Sequence, residues 1–380
     1  MSAKFSLKDH LFNAESLGDL AAEYAAGLPG FDADGFLAEV LPGLQGRELM
    51  QRLDWIADCL QTRLPEDFPA MAAALEAAMP PELDPTKTDD DFGRFIHAVP
   101  GILAVRHGLE HHRDRALDLL EAATKRFSME FYLRPFLNRW PGETLARLDQ
   151  WCLSSNYHLR RLVSEGTRPR LPWAKAITLD PMVPLRFLDR LHADPARYVT
   201  RSVANHLNDI SKLDPDRVLK RLRKWQKAGR QDARELAWMT KHALRTLIKD
   251  GHPGAMEMLG YRADAPVTLE AITITPDPVA IGGRAVIEIV LSAAEATPVL
   301  VDYLIWFHKP NGAESCKVFK LKQAVLTPDA PLRLSKTHVF KGNATTFTLH
   351  PGPHRISAQV NGRILGEMGF ALTAGETGQA

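Results

Sequence analysis

A segment of this chain repeats itself at an interval of forty residues, and that interval constrains the fold more than any other feature. Leu145-Ala-Arg-Leu-Asp-Gln-Trp-Cys aligns with Leu185-Arg-Phe-Leu-Asp-Arg-Leu-His, and His158-Leu-Arg-Arg-Leu-Val with Tyr198-Val-Thr-Arg-Ser-Val. A weaker third copy places Trp238 under Tyr198 and Lys241 under Arg201. Apolar spacing is helical from about Asp91 to Gly260. A period near forty with two helices per unit predicts a HEAT-like α-solenoid, whose stacked helices leave a concave binding face. Earlier, Leu17–Ala26 and Gly46–Thr62 read as amphipathic helices between Pro-Gly, Leu-Pro and Pro-Pro breaks.

After Gly260 the pattern changes. Leu269–Ile274, Ala285–Ser292, Pro298–Phe307, Cys316–Lys322, Arg333–Phe340, Thr345–His350, His354–Val360 and Met368–Leu372 are short, β-branched and often alternating. Turn sequences such as Pro-Asp-Pro and Pro-Asn-Gly separate them, which predicts an antiparallel, immunoglobulin-like β-sandwich. The expected organisation is a helical-repeat domain over 1–265, a sandwich over 266–373 and a frayed tail over 374–380.

Charge is unevenly spread behind a net value of +1. Residues 1–100 hold 7 lysines and arginines against 18 acids, and residues 160–249 hold 21 against 9. Such asymmetry points to a basic groove for a polyanion. In the repeat register Arg161, Arg201 and Lys241 are equivalent, so a basic ladder is expected, with Arg134 continuing it. Ion pairing between repeats is the competing reading, disfavoured by the shortage of acids in this half. One loop, Ser164-Glu165-Gly166-Thr167-Arg168-Pro169-Arg170-Leu171-Pro172-Trp173, combines a carboxylate, two arginines and a tryptophan. Charged residues are rarely buried without partners, so it reads as a surface holding an anion beside an aromatic face.

Other classes find little support. The sequence has neither an apolar run of eighteen residues nor a secretory leader, so a soluble, cytoplasmic protein is expected. Cys59, Cys152 and Cys316 are widely spaced and suggest neither a disulfide framework nor a zinc ribbon. His107, His111 and His112 lack the carboxylates of a metal motif and read as an exposed polar face. Walker, Gly-x-Gly-x-x-Gly and Gly-x-Ser-x-Gly motifs are missing, so no cofactor and no metal are expected.

Three motifs occur together: Ser-x-Glu-Phe-x-x-Arg-Pro-Phe-Leu at 128–137, Arg-Arg-Leu-x-Ser-Glu-Gly-x-Arg-Pro-Arg-Leu-Pro-Trp at 160–173, and Ser-Val-Ala-Asn-His-Leu-Asn-Asp-Ile at 202–210. Jointly they resemble the DNA-alkylation-repair glycosylases of the AlkC and AlkD superfamily, AlkC most closely. The resemblance covers residues 90–260 well, and the carboxy-terminal part is similar to the immunoglobulin-like domain that some AlkC proteins add. The first eighty residues match poorly. Tyr132, Leu133 and Thr200 depart from the pattern.

That resemblance implies a monofunctional enzyme that removes cationic alkylated bases, such as 3-methyladenine and 3-methylcytosine, from double-stranded DNA without full base extrusion. It implies a likeness of Glu130, Glu165, Trp173 and Asp209 to the family's site residues. Glu130 and Asp209 are then expected nearest the sugar, unpaired by neighbours, with Trp173 against the lesion and Glu165 assisting. Such carboxylates would oppose the positive charge developing on the sugar. Arg168, Arg170, Arg201 and Lys212 are the expected phosphate contacts, then Arg161, Arg134 and Lys241. Structural alternatives stand beside each role: Glu130 capping its helix with Ser128, Glu165 pairing with Arg161, Trp173 plugging the core, Asp209 capping a helix. The sandwich is expected to close on the duplex opposite the solenoid, in a monomer that is nucleoid-associated when bound to DNA. The alternative is a non-catalytic repeat module that binds DNA or a protein; RNA binding is a third reading.

Overall fold

A computed structural model describes residues 6–89, 91–342 and 347–375. The chain divides into two compact units, one running up to Asp214 and including Lys220–Ala243, the other comprising Pro215–Leu219 and the chain from Leu244 onward. The first is helical and the second is built on β-strands, the order anticipated from the sequence.

In the helical unit the forty-residue period becomes a stack. Helices Tyr157–Gly166, Arg197–Ser211 and Ala233–Ala243 pack side by side in that order. Each starts next to a polar acceptor: Asn156 Oδ1 takes the His158 N–H, Asp194 Oδ1 the Ala196 N–H and Asp232 Oδ1 the Arg234 N–H, each at 2.9 Å. Those bonds satisfy amide donors that have no partner inside the helix. The recurring apolar positions, including Leu159, Leu162 and Val163, then Val199, Val203 and Leu207, are buried. Arg160 ties neighbouring repeats together, its guanidinium donating to both oxygens of buried Asp194 at 2.6 and 3.0 Å. The two earlier amphipathic stretches fold as helices Ala14–Gly27 and Leu49–Gln61. Between Gly166 and Leu185 the repeat is interrupted by residues 167–184, which form neither helix nor strand.

The second unit contains β1 (Val267–Thr275), β2 (Val279–Ala280), β3 (Arg284–Ala293), β4 (Thr297–His308), β5 (Glu314–Leu326), β6 (Leu332–Val339), β7 (Gly352–Val360) and β8 (Arg363–Thr373). They form a three-stranded sheet, β1-β3-β6, and a five-stranded sheet, β2-β8-β7-β4-β5. Alternate residues such as Ile287, Ile289 and Leu291 on β3 share one core with Val301, Tyr303 and Ile305 on β4 and Ile356 and Ala358 on β7. Period-two burial is what a strand offers when one face packs inward.

Two expectations need correction. No strand forms over 347–350, although the sequence suggested one over 345–350; residues 345–346, like the tail over 376–380, lie outside the described residues. β2 was missed because two residues between Pro278 and Gly282 give no periodicity to read. It pairs in parallel with β8.

Compactness also divides the chain at Leu244, ahead of the strand pattern, because short helices Arg245–Lys249 and Pro253–Met258 pack with the strands. Gly251 follows the first of these and meets Gly362 in the β7–β8 turn, both at positive φ (72° and 82°). A Cβ on either would stand 2.6 Å from the other's carbonyl oxygen. Gly251→Ala and Gly362→Ala should each destabilise the unit by about 2–3 kcal/mol, from the clash added to the left-handed backbone. Gly312 has φ 81° with open space around it, so Gly312→Ala should cost only about 1 kcal/mol. Thermal unfolding of the three variants checks the ranking.

Candidate functional site

Five charged side chains meet where two repeats adjoin. Glu130 opens helix Glu130–Arg139, and its carboxylate accepts from the Ser128 hydroxyl and the Arg161 guanidinium. Arg161 also donates to Ser128 Oγ at 2.7 Å and lies 3.7 Å from Glu165, one helical turn along. Glu165 accepts from Arg168 at 2.6 Å and from the Ser202 hydroxyl at 2.7 Å. Arg168, just past the end of that helix, donates its Nε–H to Asp209 at 2.9 Å. Lys212 lies 3.6 Å from the other Asp209 oxygen. The result is an alternating chain: Glu130, Arg161, Glu165, Arg168, Asp209.

Burial makes this chain consequential. The side chains of Glu165 and Asp209 are only 7% and 5% exposed, and both arginines are nearly as covered. Burial pushes the Glu130 carboxyl above its ordinary range, with Arg161 pulling it back down. Burial acts on Glu165 too, but Arg161, Arg168 and the Ser202 hydroxyl outweigh it and hold that carboxyl below its ordinary range. The three acids and two guanidiniums of the chain sum to one formal negative charge, which the buried Arg134 guanidinium, bonded to the Arg168 carbonyl, offsets.

The expectation of unpaired carboxylates is therefore corrected. Glu130, Glu165 and Asp209 are each paired, because leaving a carboxylate buried alone costs several kcal/mol. Glu130 and Asp209 are joined through one network. Arg161 and Arg168 are also corrected as phosphate contacts, since their guanidiniums are spent on these acids inside the fold.

Arg134 departs furthest from its expected role. It is 1% exposed, and burial lowers its guanidinium to about 10. It donates to the carbonyls of Lys175, Gly166 and Arg168, the last two at 3.2 and 2.8 Å. It thus clamps the interrupting loop rather than extending a basic ladder. Asn138, one helical turn further, holds the same loop through the Ala176 carbonyl and the Thr178 N–H, both at 2.9 Å. The loop presents Trp173 at φ 63° and 75% exposed, so this tryptophan does not plug the core. Arg170, Lys212 and Lys241 are exposed, whereas Arg201 is half-buried and paired with Asp89 at 2.7 Å. The expected basic ladder is corrected as well: Arg161 and Arg201 are paired with acids, as the competing ion-pair reading had it, and of the three only Lys241 is exposed.

Sequence reasoning missed Ser202, Asn138 and His206. Only the position of Ser202 one turn after Tyr198 in the repeat could have suggested that it faces Glu165. His206 is fully buried, with Nδ1 2.9 Å from the Ser164 carbonyl, and burial pushes its pKa down to about 3. Among the described residues no group of three or more metal-ligating side chains could hold an ion, and no helix is long and apolar enough to cross a membrane.

A helical stack followed by an immunoglobulin-like sandwich, with an acid–arginine chain set between repeats, defines a class, and the comparisons place the chain within it. The domain family described as "Uncharacterised protein YhaZ, C-terminal Ig-like domain" matches residues 268–374. YhaZ of Bacillus subtilis (strain 168) is 30% identical over 373 residues, covering 95% of this chain and 98% of YhaZ. The structure titled Pseudomonas fluorescens alkylpurine DNA glycosylase AlkC bound to DNA containing an abasic site analog is 34% identical, with a TM-score of 0.86, over 97% of this chain and 100% of that one. The chain belongs to the AlkC-like family with a carboxy-terminal immunoglobulin-like domain.

Arg134→Met leaves three loop carbonyls without a donor and should cost about 2–4 kcal/mol in denaturant unfolding. His206 is kept neutral in the fold, so its contribution is complete above its ordinary value of 6.5 and is lost as pH falls toward about 3. The slope approaches about 1.4 kcal/mol per pH unit. Unfolding followed from pH 7 to 4 should show a shallower loss for His206→Asn, which keeps a donor toward Ser164.

Proposed function

We propose that this protein is a DNA glycosylase of alkylation repair, hydrolysing the N-glycosidic bond of cationic alkylated bases in duplex DNA. The observation that carries the reading is the near full-length likeness to an alkylpurine DNA glycosylase bound to DNA with an abasic site analog. An abasic site is what such hydrolysis leaves. The acid–arginine chain gives the reading its chemistry.

Alkylation at a ring nitrogen makes the base a cation and hence a good leaving group. The protein then needs to stabilise the oxocarbenium-like sugar and to orient a water molecule. The fixed carboxylates serve the first need, because charge held in a water-poor site acts strongly on developing charge. Glu130 and Asp209, at the two ends of the chain, remain our candidates nearest the sugar, with Glu165 holding the two arginines between them. Asp209 accepts the water proton, and Lys212 beside it neutralises a phosphate. Trp173 offers its ring face to the cationic base. Its exposure suits recognition without full extrusion into a pocket. Arg170, Lys212, Arg201 and Lys241 contact phosphates. The protein acts as a monomer, needs no cofactor and forms no covalent intermediate. It works on chromosomal DNA in the cytoplasm.

The test is single-turnover base release from methylated duplex, with the liberated base identified by chromatography. Asp209→Asn and Glu130→Gln should each slow release by about 10²–10³ while duplex binding persists. Trp173→Ala should lose about tenfold, in line with one desolvated cation–π contact. Duplex binding by the wild type with no base released would favour the non-catalytic repeat module instead.

A further inference from the structure

One acidic stretch of the amino-terminal half comes to rest on the repeat helices. The Asp89 carboxylate lies 2.7 Å from Arg201 and 3.7 Å from Arg197, one helical turn apart on Arg197–Ser211. Next to it the Thr88 carbonyl accepts the Tyr198 N–H at 2.9 Å. Phe92 sets its ring edge-on against Tyr198 (centroids 5.4 Å apart), and the Arg201 guanidinium lies 5.6 Å from the Phe92 ring. The same Tyr198 ring lies 4.8 Å from the Arg161 guanidinium, so this contact adjoins the acid–arginine chain.

Each arginine also has contacts besides Asp89. Arg197 stacks on Trp238 at 4.0 Å and also pairs with Glu235, while Arg201 lies 5.6 Å from the Tyr198 ring. Two guanidiniums converging on one carboxylate form a fork that accepts a phosphate equally well, since both anions present paired oxygens to N–H donors. This stretch of chain is acidic, with Asp84, Asp89 and Asp91, whereas the helices below it are basic.

We propose that Arg197 and Arg201 form a DNA backbone-phosphate subsite beside the lesion site, and that Asp89 occupies it until DNA displaces it. The inference rests on the DNA-binding reading above. Asp89 thereby acts as an internal competitor, disfavouring unproductive binding.

The experiment is equilibrium binding of undamaged duplex across a salt series, using the full chain. Asp89→Asn and Asp89→Ser, compared so that one poorly folding substitution does not decide the matter, should bind about three- to fivefold tighter. Their salt dependence should steepen by about one released ion. In an Arg197→Ala, Arg201→Ala background the same changes should have no effect. Pyrophosphate titration followed by thermal unfolding gives a readout free of DNA, and it should stabilise the Asp89 variants more than the wild type. Equal or weaker binding of duplex and pyrophosphate by both Asp89 variants overturns the subsite and leaves Asp89 as a mere orienting partner. The expected pattern without base release from methylated DNA would sink the glycosylase reading and keep the subsite.

Discussion

The alternation of Glu130, Arg161, Glu165, Arg168 and Asp209 governs the geometry around it. Each charge is tolerated in a covered place only because an opposite charge touches it, so no member can move alone. The contributors come from the start of one helix, the face and end of a second, and the helix of the next repeat. A shift of any of these elements would strand a buried charge. That interdependence holds the carboxylates in fixed directions, the preorganisation that electrostatic catalysis requires.

Rigidity in the cluster is complemented by exposure beside it. The eighteen residues of 167–184 form a long irregular connection, of the kind that usually carries function. Here it is held at its base by Arg134 and Asn138 from helix Glu130–Arg139. The same helix therefore supplies the first carboxylate and the clamp for the loop that displays Trp173. Aromatic surface and acid chain are thus both tied to one helix.

Much of this was legible in the residues themselves. The forty-residue period stated that helices would stack and which positions would be equivalent, because equivalent apolar positions must be buried in equivalent ways. The switch to alternating β-branched segments after Gly260 announced the sandwich, and seven of the eight strands among the described residues were readable from alternation, β-branching and intervening turns. Glu130, Glu165, Trp173 and Asp209 were singled out by motif, and the structure brings the three acids into one network with Trp173 on the adjoining loop. β2 and the division at Leu244 were not legible, since two-residue pairing and helix-on-strand packing leave no periodic trace.

The arginines mark the limit. Arg134, Arg161 and Arg170 have the same side chain, and sequence spacing treats them alike. Only tertiary packing decided that Arg134 would satisfy backbone carbonyls, that Arg161 would bridge one acid thirty-one residues away and another one turn away, and that Arg170 would face solvent. A sequence determines which groups are available and where helices and strands form, because those follow from local periodicity and backbone preference. Whether a given charge meets water, a carbonyl or an opposite charge depends on which distant segment is folded against it, and that choice is made by the packed structure.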